Sequence, residues 1–145
     1  MNHRIAILSD IHGDTTALKA VIADARALGA TEYWLLGDIL LPGPGKEDLF
    51  ELLDAIPITA AVRGNWDDCV LEALDGEYGL EDPQEIQLLR LTQYLMEGLD
   101  PKRIDWLRSL PLVEKKEVNG IRFSLTHNLP EKNYGGDLRP ANATE

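Results

Sequence analysis

The sequence predicts an α/β fold built on a parallel sheet, and three observations carry that expectation. Residues 1–65 alternate between short apolar runs and amphipathic stretches, in the order strand, helix, strand, helix, strand. The runs Ile5 to Leu8, Tyr33 to Leu36 and Ile58 to Val62 are almost wholly apolar instead of alternating. That is the habit of strands covered on both faces by crossover helices. Each run also stops at a polar turn, and in open α/β sheets ligands bind in the crevice beyond those strand ends.

The elements follow in order. After the first run, Asp14 is placed to cap a helix whose apolar face is Ala17, Leu18, Val21, Ile22, Ala25 and Leu28, with Gly29 at its stop. After the second run, Lys46 to Ala55 reads as a helix with Leu49, Leu52, Leu53 and Ile56 as its stripe, closed by Pro57. The third run ends in Arg63-Gly64-Asn65, and a helix follows with an acidic first turn, Asp67-Asp68, and Cys69, Val70, Leu71 and Leu74. Pro83 to Met96 forms a further helix carrying Ile86, Leu89, Leu91, Tyr94 and Leu95, with Pro83 at its first position. Ile104 to Leu110 is a short helix. Leu112 to Val118 and Ile121 to His127 are strands joined by Asn119-Gly120, a hairpin signal. From Leu129 onward Pro, Gly and Asn predict a loop.

At 145 residues the chain is one domain, with 44% apolar and 27% charged residues, the balance of an ordinary soluble globular protein. No apolar stretch is long enough for a transmembrane helix, and the N-terminus lacks a signal-peptide pattern. The single cysteine, Cys69, is expected to be a small buried hydrophobe and suits a cytoplasmic location. A net charge of −11 disfavours long nucleic acids and suits the collection of divalent cations. Trp34 and Trp106 are expected in the core. Gly43-Pro44-Gly45-Lys46 is no P-loop, because Leu40 replaces its first glycine and Glu47 its Ser or Thr.

Four runs deliver metal-competent side chains at their ends: Asp10 and His12, Asp38, Asn65, and His127. Three oxygen and two nitrogen donors without thiolate suit Mn, Fe or Zn better than Ca. A carboxylate such as Asp38 can bridge two ions, and two ions about 3.5–4 Å apart can clamp a phosphoryl group. Gly37 and Gly64 let the backbone turn sharply beside two of the donors. Singly, each donor has a structural explanation as a cap, turn or loop residue. The joint pattern is what points to a metal site.

Asp10-Ile11-His12-Gly13, Gly37-Asp38, Gly64-Asn65-Trp66-Asp67 and Thr126-His127 resemble, in order, the first four motifs of the calcineurin-like metallophosphoesterases. The segments around them resemble more closely a bacterial subgroup that includes asymmetrically cleaving diadenosine tetraphosphate hydrolases. The resemblance implies a layered β-sandwich flanked by helices, with Asp10 and His12 on one ion, Asn65 and His127 on a second, and Asp38 on both. A hydroxide activated by the two metals would attack phosphorus without a covalent phosphoenzyme, and Arg63 is a candidate phosphate contact. The implied substrate is a small phosphoester or a dinucleoside polyphosphate, with no membrane partner.

Two departures stand out. Trp66 occupies the position where many members carry a histidine that protonates the leaving group. The family's last motif, Gly-His-x-His, is absent, so the domain over residues 1–145 is expected to be a truncated one. The alternative implied is a non-catalytic remnant or protein-interaction module of the same fold, or an enzyme completed by a second chain. Edge strands left open would favour self-association into a homo-oligomer.

Overall fold

The structure is a computed structural model that describes residues 3–134. Strands β1 (Ile5–Leu8), β2 (Glu32–Leu35) and β3 (Ile58–Ala61) form a parallel sheet in that spatial order. Helices α1 (Thr15–Ala27) and α2 (Glu47–Asp54) make the two crossovers. β1 pairs in register from Ile5 with Glu32 to Leu8 with Leu35, and the β2–β3 ladder slips between Tyr33 and Trp34. Helices α3 (Asn65–Leu74), α4 (Pro83–Met96) and α5 (Pro101–Ser109) follow, and then the antiparallel pair β4 (Val113–Val118) and β5 (Ile121–Thr126). Asn119 and Gly120 both adopt left-handed backbone, with φ of 53° and 79°, as a two-residue hairpin turn requires.

Alternation along β2 sorts the core into layers. Tyr33 and Leu35 join Leu18, Ile22, Leu49, Leu53 and Val70 beneath the helices. Trp34 points the other way, to Ala60, Val62 and Leu125. Its ring meets Phe123 edge-on, with centroids 5.2 Å apart. The β4–β5 hairpin, and not a helix, therefore covers the sheet face opposite the helices, giving the layered mixed α/β arrangement that the family resemblance implies.

The cap at Asp14 is formed, its carboxylate accepting from the Ala17 N–H at 2.8 Å. Asp82 and Asp100 cap α4 and α5 in the same way, each before a proline in the first turn. That places the start of α5 at Pro101, earlier than the apolar pattern suggests. Three expectations need correction. β1 is not covered on both faces: it is the terminal strand, and Ile7 is 54% exposed. On α1 only Leu18 and Ile22 are buried, because no strand lies beyond β1 among the described residues to cover Val21 and Leu28. On α4 the buried pair is Thr92 and Leu95, whereas Tyr94 faces outward beneath the Lys46 ammonium, 3.6 Å from its ring centre. Trp34 is buried as expected, and Trp106 packs edge-on against Phe50. The segment Leu129 to Tyr134 is loop apart from a Leu129–Lys132 bridge, and the remainder of the expected C-terminal loop lies outside the described residues.

Candidate metal centre

The turns after β1 and β2 are laced together by backbone. Asp10 N–H donates to the Gly37 carbonyl (3.1 Å), His12 N–H to that of Asp38 (2.8 Å) and Gly13 N–H to that of Ile39 (2.9 Å). The Gly43-Pro44-Gly45 loop is tied alongside, Gly43 N–H donating to the His12 carbonyl at 2.9 Å. Within this lacing Asp10, His12 and Asp38 take φ of 55°, 50° and 56°. Left-handed backbone costs a residue with a Cβ about 1–2 kcal/mol, so the three side chains are held in conformations that the surroundings enforce. Gly37 and Gly64 permit the closest approach. A Cβ on Gly37 would strike the Gly64 nitrogen, and one on Gly64 would strike the Asp38 carboxylate.

Both imidazoles are fixed by backbone carbonyls. His12 Nδ1 donates to Leu41 O at 2.5 Å, and His127 Nδ1 to Leu36 O at 2.6 Å. Each Nε2 is thereby aimed inward. His12 Nε2 lies 3.6 Å from Asp10 Oδ1 and 3.7 Å from Asp38 Oδ2. His127 Nε2 lies 3.3 Å from the same Asp38 Oδ2 and 3.0 Å from Asn65 Oδ1. One carboxylate oxygen thus sits between two imidazoles, and donor atoms of Asp10, His12 and Asp38 lie within 4.8 Å of one another, a group able to hold a metal ion.

The donor set explains the charge it wants. Carboxylate oxygens, an amide oxygen and an inward imidazole nitrogen are all electron-pair donors, and they converge only around a proton or a cation. Hydrogen bonding to the Asp38 carboxylate raises the His127 pKa from 6.5 to about 9. Asp38 is 2% exposed, whereas the Asp10 side chain is 54% exposed, so the cluster opens toward solvent on the Asp10 side. The residues present fit a bound divalent ion.

Three neighbours set the geometry. Trp66 N–H donates to Asp38 Oδ1 at 2.8 Å, and its indole meets the His12 ring edge-on at 5.8 Å. Asp67 is fully buried and accepts three backbone N–H groups, from Asp38 (2.8 Å), Ile39 (2.9 Å) and Gly64 (2.9 Å). One carboxylate thereby ties the Asp38 turn to the start of α3. Burial pushes its pKa up to about 6, against the pull of those donors. In sequence Asp67 stands out as a first-turn charge and as the last residue of the Gly64-Asn65-Trp66-Asp67 motif, and its place three residues after the glycine that caps α3 is the capping-box position. Arg63, read as a phosphate contact, has another occupation. Its Nε pairs with Asp68, and one terminal nitrogen reaches the carbonyls of Arg108 and Leu110 at 3.4 and 3.3 Å. Cys69 is half-buried rather than buried, 3.8 Å from the Tyr134 hydroxyl.

Comparison with known proteins places the chain in a family. The model of the calcineurin-like phosphoesterase family matches residues 3–142. An uncharacterised protein of Methanocaldococcus jannaschii is 30% identical over 131 residues, spanning 88% of this chain and 50% of that protein. The symmetrical bis(5'-nucleosyl)-tetraphosphatase of Serratia proteamaculans is 28% identical over 113 residues, 77% of this chain and 38% of that protein. The chain thus spans half or less of the length of these curated relatives. Among solved structures, a metallophosphoesterase from Sphaerobacter thermophilus superposes with a TM-score of 0.57 at 30% identity, over 79% of this chain and 44% of that one. A hypothetical protein from Pyrococcus horikoshii reaches 0.72 at 20% identity, over 96% and 60%, and shows the same fold. The match across nearly the whole sequence, on a fold with the same relatives, means that this chain belongs to the calcineurin-like phosphoesterases.

Proposed function

We infer that the chain is a metal-dependent phosphoesterase domain acting on a small phosphoester or a dinucleoside polyphosphate at a two-metal site. The observation that carries this reading is the position of Asp38 Oδ2, 3.7 Å from one inward imidazole nitrogen and 3.3 Å from the other. In this reading Asp10 and His12 would hold one ion, Asn65 and His127 the other, and Asp38 would serve both. Manganese, iron or zinc suits such a mixed donor set. Bound ions of this kind lower the pKa of water and offset charge on a phosphoryl group.

The chain's own residues prepare the site. The Leu36 and Leu41 carbonyls fix the imidazole tautomers, and Asp67 and the Trp66 N–H hold Asp38 in its turn. Trp66 stands against His12, and its indole N–H can donate a hydrogen bond but is far too weak an acid to protonate a departing alcohol. That favours a substrate whose leaving group departs as a stable anion, as from a phosphoanhydride. The Serratia relative, named as a symmetrical tetraphosphatase, supports dinucleoside polyphosphate chemistry, though not the asymmetrical cleavage that the sequence resemblance implies. No helix among the described residues is long and apolar enough to cross a membrane.

The test is direct. Purified protein supplied with manganese is offered p-nitrophenyl phosphate, bis-p-nitrophenyl phosphate and diadenosine tetraphosphate. Hydrolysis of at least one, abolished in Asp38→Asn, is expected. No turnover on any of them, together with no metal retained by elemental analysis, would overturn the enzyme reading in favour of a non-catalytic module of the same fold.

A further inference from the structure

The segment that follows β5 turns back onto α3, and one residue fastens it there. Asn133 is a polar side chain only 7% exposed, on a stretch with no helix and a single isolated bridge. Its amide Nδ2 donates to the Arg63 carbonyl at 3.2 Å and to Asp68 Oδ2 at 2.7 Å. Its own carbonyl accepts from Asn128 Nδ2 at 3.4 Å. Arg63 directly precedes the Gly64-Asn65 turn, Asp68 lies in the first turn of the helix that begins at Asn65, and Asn128 directly follows His127. The two ends of the 3.0 Å His127–Asn65 contact therefore belong to chain segments that Asn133 joins. A second staple lies one residue on, where the Tyr134 hydroxyl donates to Glu72 Oε1 at 3.0 Å.

We propose that Asn133 is a positioning residue for the His127–Asn65 half of the centre, clasping the segment after β5 to the first turn of α3. Its bearing on metal rests on the proposed function, but the clasp itself belongs to the metal-free chain. The chemistry requires an amide. Both acceptors, a peptide carbonyl and a carboxylate, need an N–H, and an amide nitrogen carries two. Aspartate is nearly the same shape and has no donor, so it would set one carboxylate against another. Asn133→Asp should therefore do more harm than Asn133→Ala, an order that loss of packing alone would not give.

The experiment reads the His127 ring in metal-free, nitrogen-15-labelled protein by long-range proton–nitrogen correlation. The wild type should show one fixed ring orientation, with Nδ1 hydrogen-bonded to the Leu36 carbonyl. Asn133→Ala should shift or broaden that signal, and Asn133→Asp should do so more strongly, while His12 stays as it was. Tyr134→Phe, which removes only the second staple, is the folding control and should leave His127 unchanged. Manganese titration followed by electron paramagnetic resonance then reads the consequence. The second ion should bind about tenfold or more weakly in Asn133→Ala, with the first little altered. An unmoved His127 signal in Asn133→Asp overturns the proposal, as does an equal shift in Tyr134→Phe. A His127 signal that responds as expected in a protein that binds no manganese leaves the clasp standing and removes the metal reading alone.

Discussion

Asp67 shows how one buried carboxylate sets a site that it does not enter. Its two oxygens accept three backbone N–H groups from two different turns. Asparagine at that position must point an NH₂ group at one or two of them. Asp67→Asn is expected to cost about 2–3 kcal/mol of stability, read as a lower urea midpoint with an unchanged slope, and to weaken metal binding as the Asp38 turn loosens. The linkage at His127 makes a second expectation. Its folded pKa, about 9, is raised above the ordinary 6.5. The Asp38 pairing therefore contributes stability that is complete below pH 6.5 and lost as pH rises through about 9. A cation must displace that proton, so apparent metal affinity should rise about tenfold per pH unit up to pH 9. Calorimetry in two buffers of different ionisation enthalpy would count the proton, and a pH-independent affinity would refute the assignment. That Asp10, His12, Asp38, Asn65 and His127 come together was legible because each follows an apolar run. The imidazole anchors were not, since Leu36 and Leu41 act through backbone carbonyls and a main-chain oxygen has no residue type.

At the scale of elements, local chemistry was read well where it is local. Asn119-Gly120 announces its own turn, and Asp14 its own cap. Gly120→Ala should cost the hairpin about 1 kcal/mol, because a Cβ is disfavoured at φ of 79° although nothing lies within 4 Å of it. A fall in thermal midpoint with the metal cluster's affinity unchanged would show that strain alone is responsible. The stripes of α1 and α4 were read less well. Apolar spacing identifies a face, but which part of that face is covered depends on neighbours distant in sequence. Val21 and Leu28 share the stripe of Leu18 and Ile22, yet lie past the last strand of the sheet. Thr92 entered the α4 seam because tertiary packing there outweighs a hydroxyl's preference for solvent.

At the scale of the whole molecule, β1 is the edge of the parallel sheet among the described residues. Arg4 O, Leu8 O and Asp10 N all bond toward β2, so the N–H and C=O groups of Ile5, Ile7 and Ser9 face outward. Together with Ile7 at 54% and Val21 at 44% exposure, this makes an edge left open among the described residues, beside the Asp10–His12–Asp38 cluster. Such edges pair with other strands, and the chain is expected to self-associate with rising concentration. Sedimentation velocity should show it, and Ile7→Lys should suppress it. A wild type that stays monomeric at high concentration would exclude this edge as a contact between copies.

The left-handed turns at Asp10, His12 and Asp38 have a consequence for selection. Glycine and asparagine are the residues that this backbone tolerates most cheaply, and a single-base change turns an aspartate codon into either. A library of this protein ranked by heat resistance alone, without metal, would therefore drift away from the cluster through those two substitutions. Ranking the same library in the presence of the ion would reverse the drift, because bound metal then rewards the conformations that the bare chain would discard.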